Sequence, residues 1–575
     1  MSKQQSGNGT PLVRILAIIV AVLVVGCFIC STGVFVINLL LDNAPTESEP
    51  ERISDPKSAT LILAYSPEKA DLITDLTERF NDTRQRTPDG ERMQVQLVEM
   101  TPDRMVEAAL DAEPDFQALS PDASLWLDQL DLRWADLHRA DAGDIAPRRI
   151  ADTVRYAVSP VVIAAWPEVA EELGWGSQPV GWSELQQRAA GDSDFRWSHA
   201  STSYASGMLA TLAEFYAGAG KTRGLTEEDV LAQSTLDYVQ KIESTVSFYG
   251  ENEAVAMERM RQEGRDFLDA LIVQEALVVQ HNRNSKDPLV AIYPREGALW
   301  EDHPLALLDD PAITDNQRRT FRAFGEFLRT PEQQQRILDQ GFRPADLAIP
   351  IDQADSPISL QNGVDPREPQ TTLQTPGPGV IQVVQNAWLY TKRPSNIFLV
   401  VDTSGSMEGE KLENVRLALS NFVDQIRGAR DRVGMVEFAG SVYNIEPLAL
   451  VDDLQRQRLE QEINLLEAHG DTALLDAIHA AYVRLQREAD PERINAIVVL
   501  TDGLENASNT SMNQLLAEIR RGNAGDAPVI IFAIGYGDDA DFATLNAIAE
   551  VSGGQARKGS IETINELYRL LSQYF

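Results

Sequence analysis

The chain opens polar, becomes wholly apolar, then alternates short apolar runs with helical stripes to its end. Ile15–Leu41 carries no charged side chain, and about twenty such residues cross a bilayer as a helix. After a passage rich in Pro, Glu and Ser, Thr60–Ala64 (TLILA) predicts a strand and Ala70–Phe80 an amphipathic helix. Val95–Val98 and Phe116–Leu119 predict two more strands, with a helix from Pro102 to about Leu110 between them. Val154–Ile163 and Ala276–Gln280 predict further strands separated by helices, so this stretch is an α/β domain. A loop-like passage follows, ending in a predicted helix over Val380–Tyr390.

The last third has a cleaner rhythm. Ile397–Val401, Ala496–Leu500 and Pro528–Tyr536 are apolar β-forming runs suited to burial on both faces of a parallel sheet. Lys411–Ile426 carries a helical stripe of Leu412, Val415, Leu419 and Phe422. Arg432–Phe438 and Ser441–Ile445 predict a strand pair, and Leu454–Leu466, Thr472–Arg487, Asp541–Val551 and Ile561–Phe575 predict helices. The sum is a doubly wound sheet with helices on both faces, which binds ligands beyond the strand C-termini.

Candidate chemistry sits at that edge. Asp402, Ser404 and Ser406 form D-x-S-x-S directly after the first strand, with Gly405 allowing a tight backbone. Closely spaced hard oxygens suit a hard cation, Mg²⁺ most naturally. Gly470-Asp471-Thr472 sets a threonine at a helix start, and a later strand closes on Thr501-Asp502-Gly503. In this order the three pieces resemble the metal-ion-dependent adhesion site of von Willebrand factor A domains. The resemblance implies Mg²⁺ (or Mn²⁺ or Ca²⁺) held directly by Ser404 and Ser406, with Thr472 a direct or state-dependent ligand. It implies Asp402 and Asp502 acting directly or through water, and a protein partner whose acidic residue completes the shell. Asp471 departs from the pattern, where relatives often carry a second glycine.

The earlier domain carries shorter motifs, among them Val158–Ile163, Leu173-Gly174-Trp175, Gly181-Trp182-Ser183-Glu184-Leu185, His199–Gly207 and Tyr293-Pro294-Arg295-Glu296-Gly297. With Glu332–Leu338 and Gly341-Phe342-Arg343-Pro344, their order resembles a type 2 periplasmic solute-binding protein. That resemblance implies two lobes, a hinge and a ligand cleft. Ser66, Ser120 and Ser124 fall at predicted strand exits of the first lobe, and Ser201, Thr202, Ser203 and Ser206 precede a helix in the second. Hydroxyls joined to helix-start N–H groups suit a small polar or anionic solute. The same residues also suit ordinary helix caps. His199, Tyr249, Glu275 and His281 fit a cleft lining or a purely structural role.

Composition narrows the function. The 575 residues are 43% hydrophobic and 24% charged, as in globular proteins, and a net charge of −37 argues against a nucleic-acid partner. Lys3 and Arg14 precede the apolar segment while Asp42, Glu47, Glu49 and Glu51 follow it. The positive-inside rule therefore predicts a cytoplasmic N-terminus (1–14), a membrane anchor (15–41) and an outward tether (42–57). Val24-Val25-Gly26-Cys27 offers a lipoprotein alternative, although the sequence stays apolar to Leu41. Both cysteines, Cys27 and Cys30, lie in that segment, so the outer part has no disulfides. The expected order continues with a solute-binding-like domain (58–350), a linker with a bridging helix (351–395) and a von Willebrand factor A domain (396–575). No G-x-S-x-G, phosphate-loop or H-E-x-x-H motif accompanies the hydroxyls, so the expectation is a cell-membrane binding and adhesion protein and not an enzyme. The alternative is the solute-capture component of a transport system.

Overall fold

The run TLILA extends into the strand Thr60–Tyr65, whose Leu61 and Leu63 are fully buried. It pairs in parallel with Gln94–Glu99 on one side and Ala118–Ser120 on the other. Pro304–Leu308 and Ile150–Arg155 complete this five-stranded sheet in antiparallel sense, forming the first lobe. The second lobe is built on Ala157–Ala165, flanked by Trp300–Glu301, Ala270–Gln274 and Val290–Ile292. The computed structural model describes residues 57–138, 147–250, 252–488, 490–525, 527–537, 540–560 and 563–575. The expected anchor and most of the tether lie outside them, and among the described residues no helix is long and apolar enough to cross a membrane.

Two predicted strands are corrected. Val154–Ile163 is not one strand: it breaks at Tyr156, with Ile150–Arg155 in the first lobe and Ala157–Ala165 in the second. An unbroken apolar run cannot reveal that its two halves join different sheets. Ala276–Gln280 lies inside the helix Glu275–Asn284, and the strand is the preceding Ala270–Gln274. The ten residues LIVQEALVVQ are apolar enough to fit either state, and periodicity does not separate a short buried strand from a buried helix. Glu275, acidic in the first helical turn, marks the switch. The chain passes between lobes at Tyr156 and again at Asp302–His303, which makes these positions the hinge.

The last domain is a six-stranded sheet in the order Val442–Leu450, Arg432–Phe438, Ser395–Asp402, Ile494–Thr501, Val529–Tyr536, Ala556–Gly559. All neighbours are parallel except the hairpin pair Arg432–Phe438 and Val442–Leu450. Every residue of Ser395–Asp402 is buried. Phe398 and Val400 point to a core shared with the helix Leu474–Glu488, while Ile397, Leu399 and Val401 face Phe422 and Tyr568 on the opposite side. This period-two division explains the continuous apolar sequence: both faces of the sheet are covered. The short strand Ala556–Gly559 carries no apolar run and had no sequence signal.

The two domains are joined through buried polar contacts. The helix Pro378–Thr391 packs on the second lobe, where Trp388 donates to Glu243 Oε1 at 2.6 Å and meets Tyr249 edge-on at 5.1 Å. At the end of this helix the fully buried Lys392 ammonium reaches both Asp431 oxygens, at 2.8 and 3.1 Å, and the Phe575 carbonyl. Asp431 Oδ1 also accepts the Ser395 N–H at 2.7 Å, tying the junction to the start of the central strand. Removing one member leaves the other charge buried and unpaired, a change worth about 3–5 kcal/mol. Asp431→Ala is therefore expected to lower the urea midpoint of the last domain sharply. Lys392→Met with Asp431→Leu should recover most of that loss, and equal losses in the single and double variants would refute the pairing.

Candidate functional site

The strand Ser395–Asp402 ends at the centre of the sheet, where its neighbours on either side are wound in opposite directions, and the crevice there is the ligand position of such folds. Asp402 is fully buried: Oδ1 accepts the Ser404 N–H at 2.7 Å, and Oδ2 accepts the Thr501 hydroxyl. These contacts turn the chain so that Ser404 Oγ and Ser406 Oγ stand 3.1 Å apart. Ser406 Oγ donates to Asp502 Oδ1 at 2.6 Å, and Lys411 Nζ pairs with Asp502 Oδ2. Thr472 Oγ1 lies next to Asp502, 2.8 Å from where a Cβ on the following Gly503 would stand. Its loop is pinned by Asn506, whose Oδ1 accepts the Thr472 N–H at 2.9 Å. Burial pushes the Asp402 carboxyl up to about 6, against the lowering effect of the Thr501 hydroxyl and the Ser404 N–H. Two serine hydroxyls and two carboxylates are thus gathered at one edge, with the Thr472 hydroxyl against Gly503 and the Lys411 ammonium on Asp502. The donor set fits a hard divalent cation.

A second polar cluster lies between the two lobes. Lys69 is fully buried and donates to Ser120 Oγ at 3.3 Å and the Pro121 carbonyl at 2.7 Å, with Asp122 Oδ1 3.0 Å away. Ser120 Oγ also meets the hinge Tyr156 hydroxyl at 3.0 Å. Glu68, Glu253, Glu301 and His303 complete the cluster, all buried. Burial, with Asp122 beside it, raises the Glu68 carboxyl well above the usual range; burial, with Glu253, does the same for Glu301. Burial pushes Glu253 up to about 7 despite its bond to Gln274. Burial acts upward on Asp122 too, but Lys69 and His303 hold it below the ordinary value.

Two protein-family models match consecutive parts of the chain. Residues 61–343 match the bacterial extracellular solute-binding protein family model, and residues 396–567 match the von Willebrand factor type A domain model. The chain thus resembles a fusion of these two families. Inter-alpha-trypsin inhibitor heavy chain H4 of Sus scrofa is 30% identical over 174 residues, covering 29% of this chain and 18% of that protein. The chain therefore spans less than a fifth of the length of that relative. An uncharacterized protein of Mycobacterium tuberculosis (strain CDC 1551 / Oshkosh) is 22% identical across 86% of this chain and 73% of its own length. Among solved structures, a von Willebrand factor type A protein from Catenulispora acidiphila covers 32% of this chain and 43% of its own, at 22% identity and a TM-score of 0.29. The periplasmic binding protein AfuA from Actinobacillus pleuropneumoniae covers 58% of this chain and 98% of its own, at 12% identity and a TM-score of 0.41.

In the von Willebrand factor A domain, all five candidate residues, Asp402, Ser404, Ser406, Thr472 and Asp502, meet at one sheet edge. The seven hydroxyls of the solute-binding domain do not stay together. Ser66 and Ser120 lie at the lobe junction, and Ser206 stands beside Glu253. Ser124 begins a helix near the hinge, its N–H bonded to Asp302 at 2.7 Å. Ser201 instead donates to Gln573 of the von Willebrand factor A domain at 2.6 Å and accepts the Ser203 N–H; Thr202 and Ser203 share that half-buried turn. At the junction the carboxyls of Glu68, Asp122, Glu253 and Glu301 outnumber the Lys69 ammonium. Glu275 is tied to Arg343 at 2.6 Å, and His281 to the Asp287 carbonyl at 2.9 Å, both structural roles. Lys411 and Asn506 carry no motif of their own and meet partners 91 and 34 residues away, so the sequence did not single them out.

Gly503 yields a direct check of the Thr472 position. Gly503→Ala would force the Thr472 hydroxyl away while sparing every oxygen of the site. Mg²⁺ affinity is expected to fall about 10–100-fold, the usual cost of disturbing a supporting contact, with unchanged circular dichroism. Unaltered affinity in calorimetry would separate Thr472 from the site.

Proposed function

We propose that the chain is a membrane-anchored, extracytoplasmic binding protein whose von Willebrand factor A domain takes a protein partner through a divalent cation. The observation that carries this reading is the convergence of Ser404, Ser406, Thr472, Asp402 and Asp502 at an edge where Ser406 is exposed and neighbouring Leu504 is 62% exposed. A bound cation supplies a positive centre for a carboxylate of the partner, Mg²⁺ being the first choice for this donor set. The chain's own residues shape that centre. Asp402 holds the Ser404 backbone, Thr501 holds Asp402, and Asn506 fixes Thr472. The exposed apolar Leu504 offers contact area beside the polar centre.

The reading is of binding and not of catalysis. The Ser406 hydroxyl leans on Asp502, whose other oxygen is held by Lys411, and His469 is turned to the Thr403 carbonyl. None of these arrangements gives a serine a free general base. The charge asymmetry around residues 15–41 supports an outward location for everything after Asp42. Solute capture is the second reading, favoured by the buried polar cluster between the lobes.

Calorimetric titration of Mg²⁺ into the purified full chain, beside the Asp402→Ala/Ser404→Ala variant, tests the first reading. Saturable binding in the wild type, weakened at least about 100-fold in the variant, is expected. Binding that survives the double substitution would move the cation elsewhere, and no binding in the wild type would end the adhesion reading.

A further inference from the structure

The lobe junction of the solute-binding domain holds more acid than its surroundings can balance. Glu68 and Lys69 come from the loop after Thr60–Tyr65, and Asp122 from the loop after Ala118–Ser120. Glu253 begins a helix of the second lobe, Glu301 ends the strand Trp300–Glu301, and His303 lies in the crossing between that strand and Pro304–Leu308. Four carboxyls therefore face one ammonium and one imidazole, all in the dry interior. Lys69 is already spent on Ser120, Pro121 and Asp122.

A buried acidic cluster can simply take up protons, so the decisive observation is His303. Its ring is fully buried, yet neither nitrogen makes a hydrogen bond. Nδ1 is 3.3 Å from Asp122 Oδ1 and Nε2 is 3.9 Å from Glu301 Oε2, both without hydrogen-bond geometry. Both Glu301 oxygens are equally without donors. Buried imidazole and carboxylate groups left bare are costly unless something binds them. One donor atom each from Asp122, Glu301 and His303 lie within 4.8 Å of one another.

We propose that the cleft of the solute-binding domain takes a divalent transition-metal ion, held by Asp122, Glu301 and His303. Mixed nitrogen and oxygen donors suit Mn²⁺ to Zn²⁺, whereas an all-oxygen set would suit Mg²⁺ or Ca²⁺. Glu301 sits on a second-lobe strand, His303 in the hinge crossing and Asp122 on the first lobe, so the ion would fasten the lobes together. Glu253, held by Gln274 at 2.8 and 3.0 Å, brings second-lobe charge to the same point. The inference rests on the solute-capture reading and is independent of the adhesion site. A comparable group, His199 with Glu214 and Glu243, does not qualify. There Glu243 is saturated by Tyr249 at 2.7 Å, Trp388 at 2.6 Å and His199, so it serves the domain junction.

Mn²⁺ separates the two sites in one experiment, because only the cleft offers a nitrogen ligand. Mn²⁺ would be titrated into the full chain, into Asp502→Ala and into His303→Gln, with pulsed electron paramagnetic resonance reading ¹⁴N coupling. The wild type is expected to bind two ions, one coupled to an imidazole nitrogen. Asp502→Ala should keep the coupled ion alone, and His303→Gln should keep the uncoupled ion alone. That retained ion also reports that His303→Gln has folded, and Glu301→Gln provides a milder second variant that should weaken the coupled ion. No nitrogen coupling in the wild type would overturn the proposal, as would coupling that persists in His303→Gln. Loss of the uncoupled ion alone would count against the adhesion site and leave the cleft standing.

Discussion

The buried pair of Lys392 and Asp431 is the interaction on which the arrangement of the two domains depends. One ammonium is shared between a carboxylate and the Phe575 carbonyl, and the same carboxylate holds the first N–H of the central strand. Four remote parts of the chain are thereby fixed at one point: the bridging helix, the central strand, the strand Arg432–Phe438 and the last residues. A hydrophobic contact could bury as much surface without dictating where each segment begins. Directional bonds to a buried charge can do so, since any displaced member would leave that charge unpaired.

From that junction the last residues run along the solute-binding domain. Arg569 approaches Asp103 of the first lobe at 3.5 Å, and Gln573 takes the Ser201 hydroxyl of the second. Tyr574 stacks on Phe248 with ring centres 5.9 Å apart. The last residues of one domain, Arg569 to Tyr574, therefore touch both lobes of the other. A hinge movement that separated the lobes would have to break or shift some of these contacts, so lobe position and the seating of the von Willebrand factor A domain share a common set of bonds.

The two polar centres meet the cost of buried charge differently. At the sheet edge, Asp402 is supported by a hydroxyl and an N–H, and Asp502 by Ser406 and Lys411, so each carboxylate has donors. Between the lobes, Glu301 and His303 have none. The first is a site already braced in position, with the open side outward. The second is braced only around its edges, by Lys69 and Gln274, with bare donors at its middle.

How much of this was legible in the chain follows from how far each signal must travel. The strand ending on Asp402, the two serines after it, Thr472 and Asp502 were readable because each lies at the end of a local apolar run and all fall in a fixed order. The wound sheet was readable for the same reason: alternation of strand and helix is a short-range pattern. The break at Tyr156 and the strand Ala270–Gln274 were not readable, because an apolar run does not say which sheet receives it. Nor could sequence find Glu301 and His303 beside Asp122, or part Ser201 from Ser206. The sequence by itself determined most of the elements, their order and the oxygen-bearing side chains gathered at the sheet edge, since these rest on periodicity and neighbouring residues. Tertiary structure alone decided which charges share a dry interior, because burial and pairing depend on groups up to hundreds of residues apart.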